Sequence, residues 1–130
     1  MFPRLLSSSE IIICLLPMTP ETKGILNKAN MKKLPAGSYV INAARGAHLI
    51  ELDLLELIDA GHIAGAALDV FKSEPLHLSS QLLSNPKVAI THHVAAVADH
   101  ESAAKVIAET VKQIKSDKPI LNSVNLTTGY

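Results

Sequence analysis

A chain of 130 residues, 48% of them hydrophobic, is long enough for one domain with a proper core and too short for two well-formed ones. Lys plus Arg and Asp plus Glu number 12 each, so no broad positive field exists to hold a polyanion or an anionic membrane face, and neither nucleic acid nor a membrane is expected as a partner. Cys14 is the only cysteine, which excludes a disulfide framework and a thiolate metal cluster and suits a reducing compartment, the cytoplasm by default.

The opening "MFPRLLSSSEIIICLLPMTP" holds an arginine and an apolar run, but Glu10 precedes that run and Pro17 ends it after residues 11–16. The run is shorter than a signal-peptide core and far too short to span a bilayer. It is instead the first of four short apolar stretches, followed by "SYVINAA" (38–44), "IAGAALDV" (63–70) and "KVAITHHV" (87–94). All four are nearly continuous in apolar character, as strands buried on both faces are, which predicts a parallel sheet under helices on both sides. Between the first two, Asn27 caps a short helix in "KANMKKL" that presents Met31 and Leu34, and "PAG" (35–37) stops it. Between the second and third, "ELDLLELIDAG" (51–61) puts Leu52, Leu55 and Ile58 on one face and ends on Gly61, a left-handed cap residue. Residues 79–85 hold one helical turn before Pro86. After the fourth stretch, Asp99 opens a helix with Ala103, Ala104, Ile107, Ala108, Val111 and Ile114 facing inward, and residues 117–130 form a polar tail.

Strands alternating with helices imply a doubly wound α/β sheet, whose ligands bind outside the carboxyl ends of the strands. The loops at those ends carry Arg45, Asp69, Glu74 and His93, so one rim gathers a guanidinium, two carboxylates and an imidazole. No third ligand stands at metal spacing from His92 and His93, and no metal site is expected. The remaining histidines, His48, His62, His77 and His100, read as solvent or loop residues.

The motifs "LLPMTPETKGILN", "VINAARG", "GAALDVFKSEPL" and "VAITHHVAA" resemble those of the D-isomer-specific 2-hydroxyacid dehydrogenases, with "HVAAV" and the final "GY" most similar to the glyoxylate/hydroxypyruvate reductase branch. The resemblance covers residues 8–130 and implies the C-terminal half of a Rossmann-type NAD(P)-binding domain, a parallel sheet with crossover helices. It also implies that residues 1–98 are a partial dinucleotide-binding domain, and that 99–130 are a helix and tail returning to a substrate domain. The implied activity is reduction of a small 2-keto acid, glyoxylate or hydroxypyruvate, by hydride transfer from NADPH or NADH.

By the same resemblance, Arg45 binds the substrate carboxylate, His93 is the acid/base and Glu74 is its partner. The chemistry agrees with each role. A guanidinium fork matches a carboxylate through two charge-assisted hydrogen bonds, and Gly46 leaves room for close approach. Imidazole titrates near working pH, and a neighbouring carboxylate favours its charged form and fixes its ring. Cofactor contacts carried over by position are Leu16, Pro17 and Thr22 on the adenosine side and Ala43, Ala44 and Arg45 through their backbone. Asp69 falls near the nicotinamide amide, with His93, Val94, Ala95 and Ala96 completing the set. Taken singly, each residue has a plainer account: an arginine reaching solvent, a glutamate before a proline, a strand-end histidine, an aspartate in a turn. The family departs from this chain at one position, where proline usually precedes the histidine and His92 stands here.

The family's chain is more than twice as long, and its G-x-G-x-x-G turn lies upstream of the matching stretch. Two expectations follow. The isolated chain is a catalytic segment that binds dinucleotide poorly and is inactive by itself; alternatively it is a non-catalytic half-domain that persists by self-association through the strand 11–16, which would be an unpaired edge.

Overall fold

The computed structural model describes residues 2–96, 98–120 and 123–127. The chain divides into two units, Met1–Ala95 and Ala96–Tyr130. In the first, the order is α1 (Phe2–Ser7), β1 (Ile11–Cys14), α2 (Lys28–Met31), β2 (Ser38–Asn42), a 3-10 turn (Gly46–His48), α3 (Glu51–Asp59), β3 (Ile63–Leu68), α4 (Gln81–Ser84) and β4 (Val88–Ile90). The four strands form one parallel sheet in the order β1-β2-β3-β4, with Ile11 opposite Tyr39, Val40 opposite Ala66 and Leu68 opposite Ile90.

Local chemistry places the helices where the sequence predicts them. The Asn27 side chain accepts from the Asn30 amide to start α2, and Met31 and Leu34 are buried. Ser80 caps α4 through the Leu82 amide. Gly61 closes α3 at φ 71°, a conformation that costs any residue with a Cβ. The face that α3 buries is Leu54, Leu55, Leu57 and Ile58; Leu52, expected on that face, is 70% exposed. The helix rests on β3 and touches both α2 and α4, so a wider stripe is covered than a single row of i, i+3, i+6 positions. Helix α1 has no counterpart in the sequence reading. Leu6 anchors it in the core, and the hydroxyls of Ser7, Ser8 and Ser9 take up the carbonyls of Arg4 and Leu5 at its end. Each fully buried leucine or isoleucine of this core, Leu6, Leu54, Ile58, Ile63 and Leu68 among them, contributes about 1.5–3 kcal/mol of apolar transfer.

The expectation of helices on both faces is overturned within this unit. Helices α1 to α4 touch one another in sequence and form a single layer. Side chains alternate accordingly: Cys14, Ser38, Val40 and Asn42 are buried beneath it, while Ile11 (55% exposed), Ile13 (54%) and Tyr39 stand on the opposite face. The reason is topological. A sheet that grows in one direction through crossovers of one hand puts every crossover on the same side. A groove of about 640 Å³ runs over the uncovered face, floored by small residues such as Gly65, Ala67 and Ala89.

The second unit contains α5 (His100–Lys115), capped by the Asp99 carboxylate accepting from the Ser102 amide. The helix matches its prediction, but its apolar stripe does not face inward. No residue of α5 is buried, and Ile107, Val111 and Ile114 are all exposed, because no other element is described in this unit to cover them. Of the predicted tail, residues 121, 122 and 128–130 lie outside the described residues.

Candidate active site

Because the strands are parallel, the segments leaving β2, β3 and β4 emerge on one rim. At the end of β2, the buried Asn42 side chain shapes the exit: its Oδ1 accepts from the Ala44 amide at 3.2 Å and its Nδ2 donates to the Arg45 carbonyl at 3.0 Å. Arg45 follows in extended conformation with its side chain exposed, and its Nη1 donates to the Ala44 carbonyl at 2.7 Å. Gly46 then lies flat on the next loop. A Cβ there would stand 1.9 Å from the Phe71 carbonyl carbon and 2.0 Å from its oxygen, so glycine is required.

That loop, after β3, carries Glu74. Its Oε1 accepts from the Phe71 amide at 2.9 Å and its Oε2 lies 3.0 Å from Nδ1 of His93. The Phe71 N–H, and after it the His93 ring, hold the Glu74 carboxyl below its ordinary range. Arg45 is thus tied through Gly46 to the backbone that positions the Glu74–His93 pair.

His93 has φ 60°, in the left-handed region that side chains rarely adopt. Asp69, at the end of β3, holds this conformation. Its carbonyl accepts from the His93 amide at 2.8 Å, and its carboxylate accepts from the Thr91 hydroxyl, the Val94 amide at 2.9 Å and the Ala95 amide at 3.0 Å. These donors, the Thr91 hydroxyl first, hold the Asp69 carboxyl down at about 2. They also shorten β4: the apolar run predicted to 94 leaves the sheet after Ile90, where the chain turns around Asp69.

The other residues singled out from the sequence distribute as follows. Ala43, Asp69 and Ala95 line a shallow depression of about 170 Å³ at the strand ends, together with the small side chains of Ala67 and Ala89. Ala44 is buried beneath the β2 exit, whereas Leu16, Pro17 and Val94 are exposed. Thr22 donates to the Pro17 carbonyl at 2.7 Å, closing the loop after β1. Ala96 begins the second unit. Behind the Glu74–His93 pair lies an apolar pocket of about 280 Å³, walled by Phe71, Leu76, Leu83, Ile90 and His92. Two rim residues escaped the sequence reading. Asn42 was legible in principle, as a polar residue ending an apolar run and able to form a side-chain turn. His48 was not: expected as a solvent or loop residue, it lies in the turn after β2 but is 0% exposed.

The family model for the D-isomer specific 2-hydroxyacid dehydrogenase, NAD binding domain, matches residues 1–95. The chain belongs to the D-isomer specific 2-hydroxyacid dehydrogenases. Its fold is that family's NAD-binding domain, and Arg45, Glu74 and His93 all fall within the matched residues. A D-isomer specific 2-hydroxyacid dehydrogenase from Xanthobacter autotrophicus Py2, solved with NADPH and MES, superposes at a TM-score of 0.95 with 41% identity, over 99% of this chain and 53% of that one. An NADPH-dependent glyoxylate/hydroxypyruvate reductase from Sinorhizobium meliloti, solved with NADP and sulfate, gives 0.93 at 35% identity, over 99% and 42%. A probable 2-hydroxyacid dehydrogenase from Rhizobium etli CFN 42, solved with NADP, HEPES and L(+)-tartaric acid, gives 0.91 at 33%, over 99% and 42%. The chain therefore spans about half the length, or less, of these dehydrogenases.

Proposed function

We propose that this chain is the catalytic segment of an NAD(P)-dependent 2-hydroxyacid dehydrogenase that reduces a small 2-keto acid, glyoxylate or hydroxypyruvate. The observation that carries the proposal is the 3.0 Å contact between His93 and Glu74 on the rim where Arg45 also emerges. Arg45 takes the substrate carboxylate in a two-pronged hydrogen bond. His93, held at Nδ1 by the ionised Glu74, gives a proton from Nε2 to the keto oxygen, and the carbonyl becomes a hydroxyl. The dinucleotide, NADPH or NADH, supplies the hydride that the keto carbon receives. The residues present fit such a group at its nicotinamide end, since small side chains around Ala43, Asp69 and Ala95 leave an apolar depression for a flat ring face. Ala44, Arg45 and Val94 extend that side, and Leu16, Pro17 and Thr22 serve the adenosine side; Ala96 keeps a cofactor role by resemblance alone. A reducing compartment, the cytoplasm, suits the one free thiol, which burial pushes above its ordinary range.

No G-x-G-x-x-G turn occurs in the 130 residues, so nothing in this chain cradles a pyrophosphate through glycine-turn amides. The isolated chain is accordingly expected to show no turnover with NADPH or NADH and glyoxylate. The deciding experiment is a chimera in which this chain replaces the matched segment of the Xanthobacter relative. The chimera should reduce glyoxylate, and His93→Gln should slow it by about 10² to 10⁴-fold. A folded chimera without activity, or one indifferent to His93→Gln, would refute the reading.

The unpaired β1 edge and the uncovered apolar sheet face favour a second reading, a non-catalytic half-domain that persists by self-association.

A further inference from the structure

We propose that His48 is a positioning residue that clamps the Arg45 main chain to the loop after β1; the inference rests on the carboxylate-binding role proposed for Arg45. The ring is fully buried, and its two nitrogens face two different segments. Nε2 lies 3.2 Å from the Pro17 carbonyl. Nδ1 lies 3.3 Å from the Arg45 amide nitrogen and 3.0 Å from the Arg45 carbonyl oxygen.

One proton placement satisfies all of these groups. The Arg45 carbonyl already accepts from Asn42 Nδ2 at 3.0 Å and from the His48 amide at 3.1 Å, which fills both lone pairs. It does not need the imidazole. The Arg45 N–H, by contrast, has Nδ1 as its acceptor, and a proton on Nδ1 would set two donors face to face at the cost of a buried unsatisfied amide. The proton therefore sits on Nε2, which donates to Pro17, while Nδ1 accepts from Arg45. The Pro17 carbonyl in turn takes the Thr22 hydroxyl as its second donor. One buried imidazole thus joins the loop assigned to the adenosine side, through Pro17 and Thr22, to the residue assigned to the substrate. Because the tie is made to the Arg45 backbone, it fixes where the guanidinium starts without touching the substrate itself.

The test uses the isotope-labelled 130-residue chain. Long-range ring correlations should find the His48 proton on Nε2. Hydrogen exchange of the Arg45 amide should stay slow in His48→Asn, whose Oδ1 replaces Nδ1. It should quicken about tenfold in His48→Gln, whose amide nitrogen replaces Nε2 only, with the Val40 amide unchanged in both. Glyoxylate should perturb Arg45 and bind about tenfold more weakly to the Gln variant than to the Asn variant. A proton found on Nδ1, equal Arg45 exchange in all three proteins, or equal glyoxylate affinity in the two variants would overturn the clamp. If a variant does not fold, the wild-type tautomer decides. Glyoxylate failing to perturb Arg45 in the wild-type chain would instead remove the carboxylate role, while exchange and tautomer still decide the clamp.

Discussion

The carboxylate of Asp69 accepts from three donors in the turn that carries His93, so its chemistry is spent on shaping the site before any ligand arrives. Its folded-state acidity gives this a pH signature. The carboxyl is depressed from 3.8 to about 2, so the turn draws full stability from it above 3.8 and loses that contribution as pH falls through about 2. The Val94 and Ala95 amide resonances should therefore titrate together with a midpoint near 2, and Asp69→Asn should abolish that titration. A midpoint at 3.8 would show that the carboxylate does not hold the turn. The residue types on this rim were legible from sequence because strand ends in a parallel sheet collect there. The partners of His48 were not: Pro17 lies 31 positions away, and no periodicity links a loop carbonyl to a histidine in a 3-10 turn.

At the scale of elements, the Arg45 segment and the Glu74 loop share a contact that only glycine permits. Gly46→Ala would drive its Cβ into the Phe71 carbonyl, a backbone group that cannot rotate away. The substitution is expected to cost about 2 kcal/mol or more of unfolding free energy and to shift the His93 ring signals, since the Phe71 amide holds Glu74. A denaturant melt coincident with the wild type would refute the packing argument. Strand locations were readable from apolar runs, yet their ends were not. The run 87–94 continues in apolar character after the chain has left the sheet, because Val94 sits in a turn stabilised by Asp69 and not by a ladder. Similarly, the sequence of α3 displays one helical row through Leu52, Leu55 and Ile58, whereas contacts with α2, β3 and α4 bury a broader face that excludes Leu52.

For the molecule as a whole, the sheet of the first unit is covered on one side and open along β1. Within β1 itself no lysine or proline stands to discourage edge pairing; Glu10 precedes the strand and Pro17 lies beyond its end. Sedimentation of the chain should show concentration-dependent dimers that Ile13→Lys reduces to monomer, and a wild-type chain that stays monomeric at every concentration would remove the self-association reading. Which faces a sheet leaves bare was not written in its strands: runs apolar on both sides announce that something covers them, not what. The turn around Asp69 has one more implication. Thr91 donates to the Leu68 carbonyl and His93 to the Asp69 carbonyl, so the intervening amide of His92 points away from β3. The aim of the His93 ring, proposed above as the acid/base, is thereby stencilled from the neighbouring strand, and His92→Pro is expected to leave the His93 amide bond to Asp69 in place.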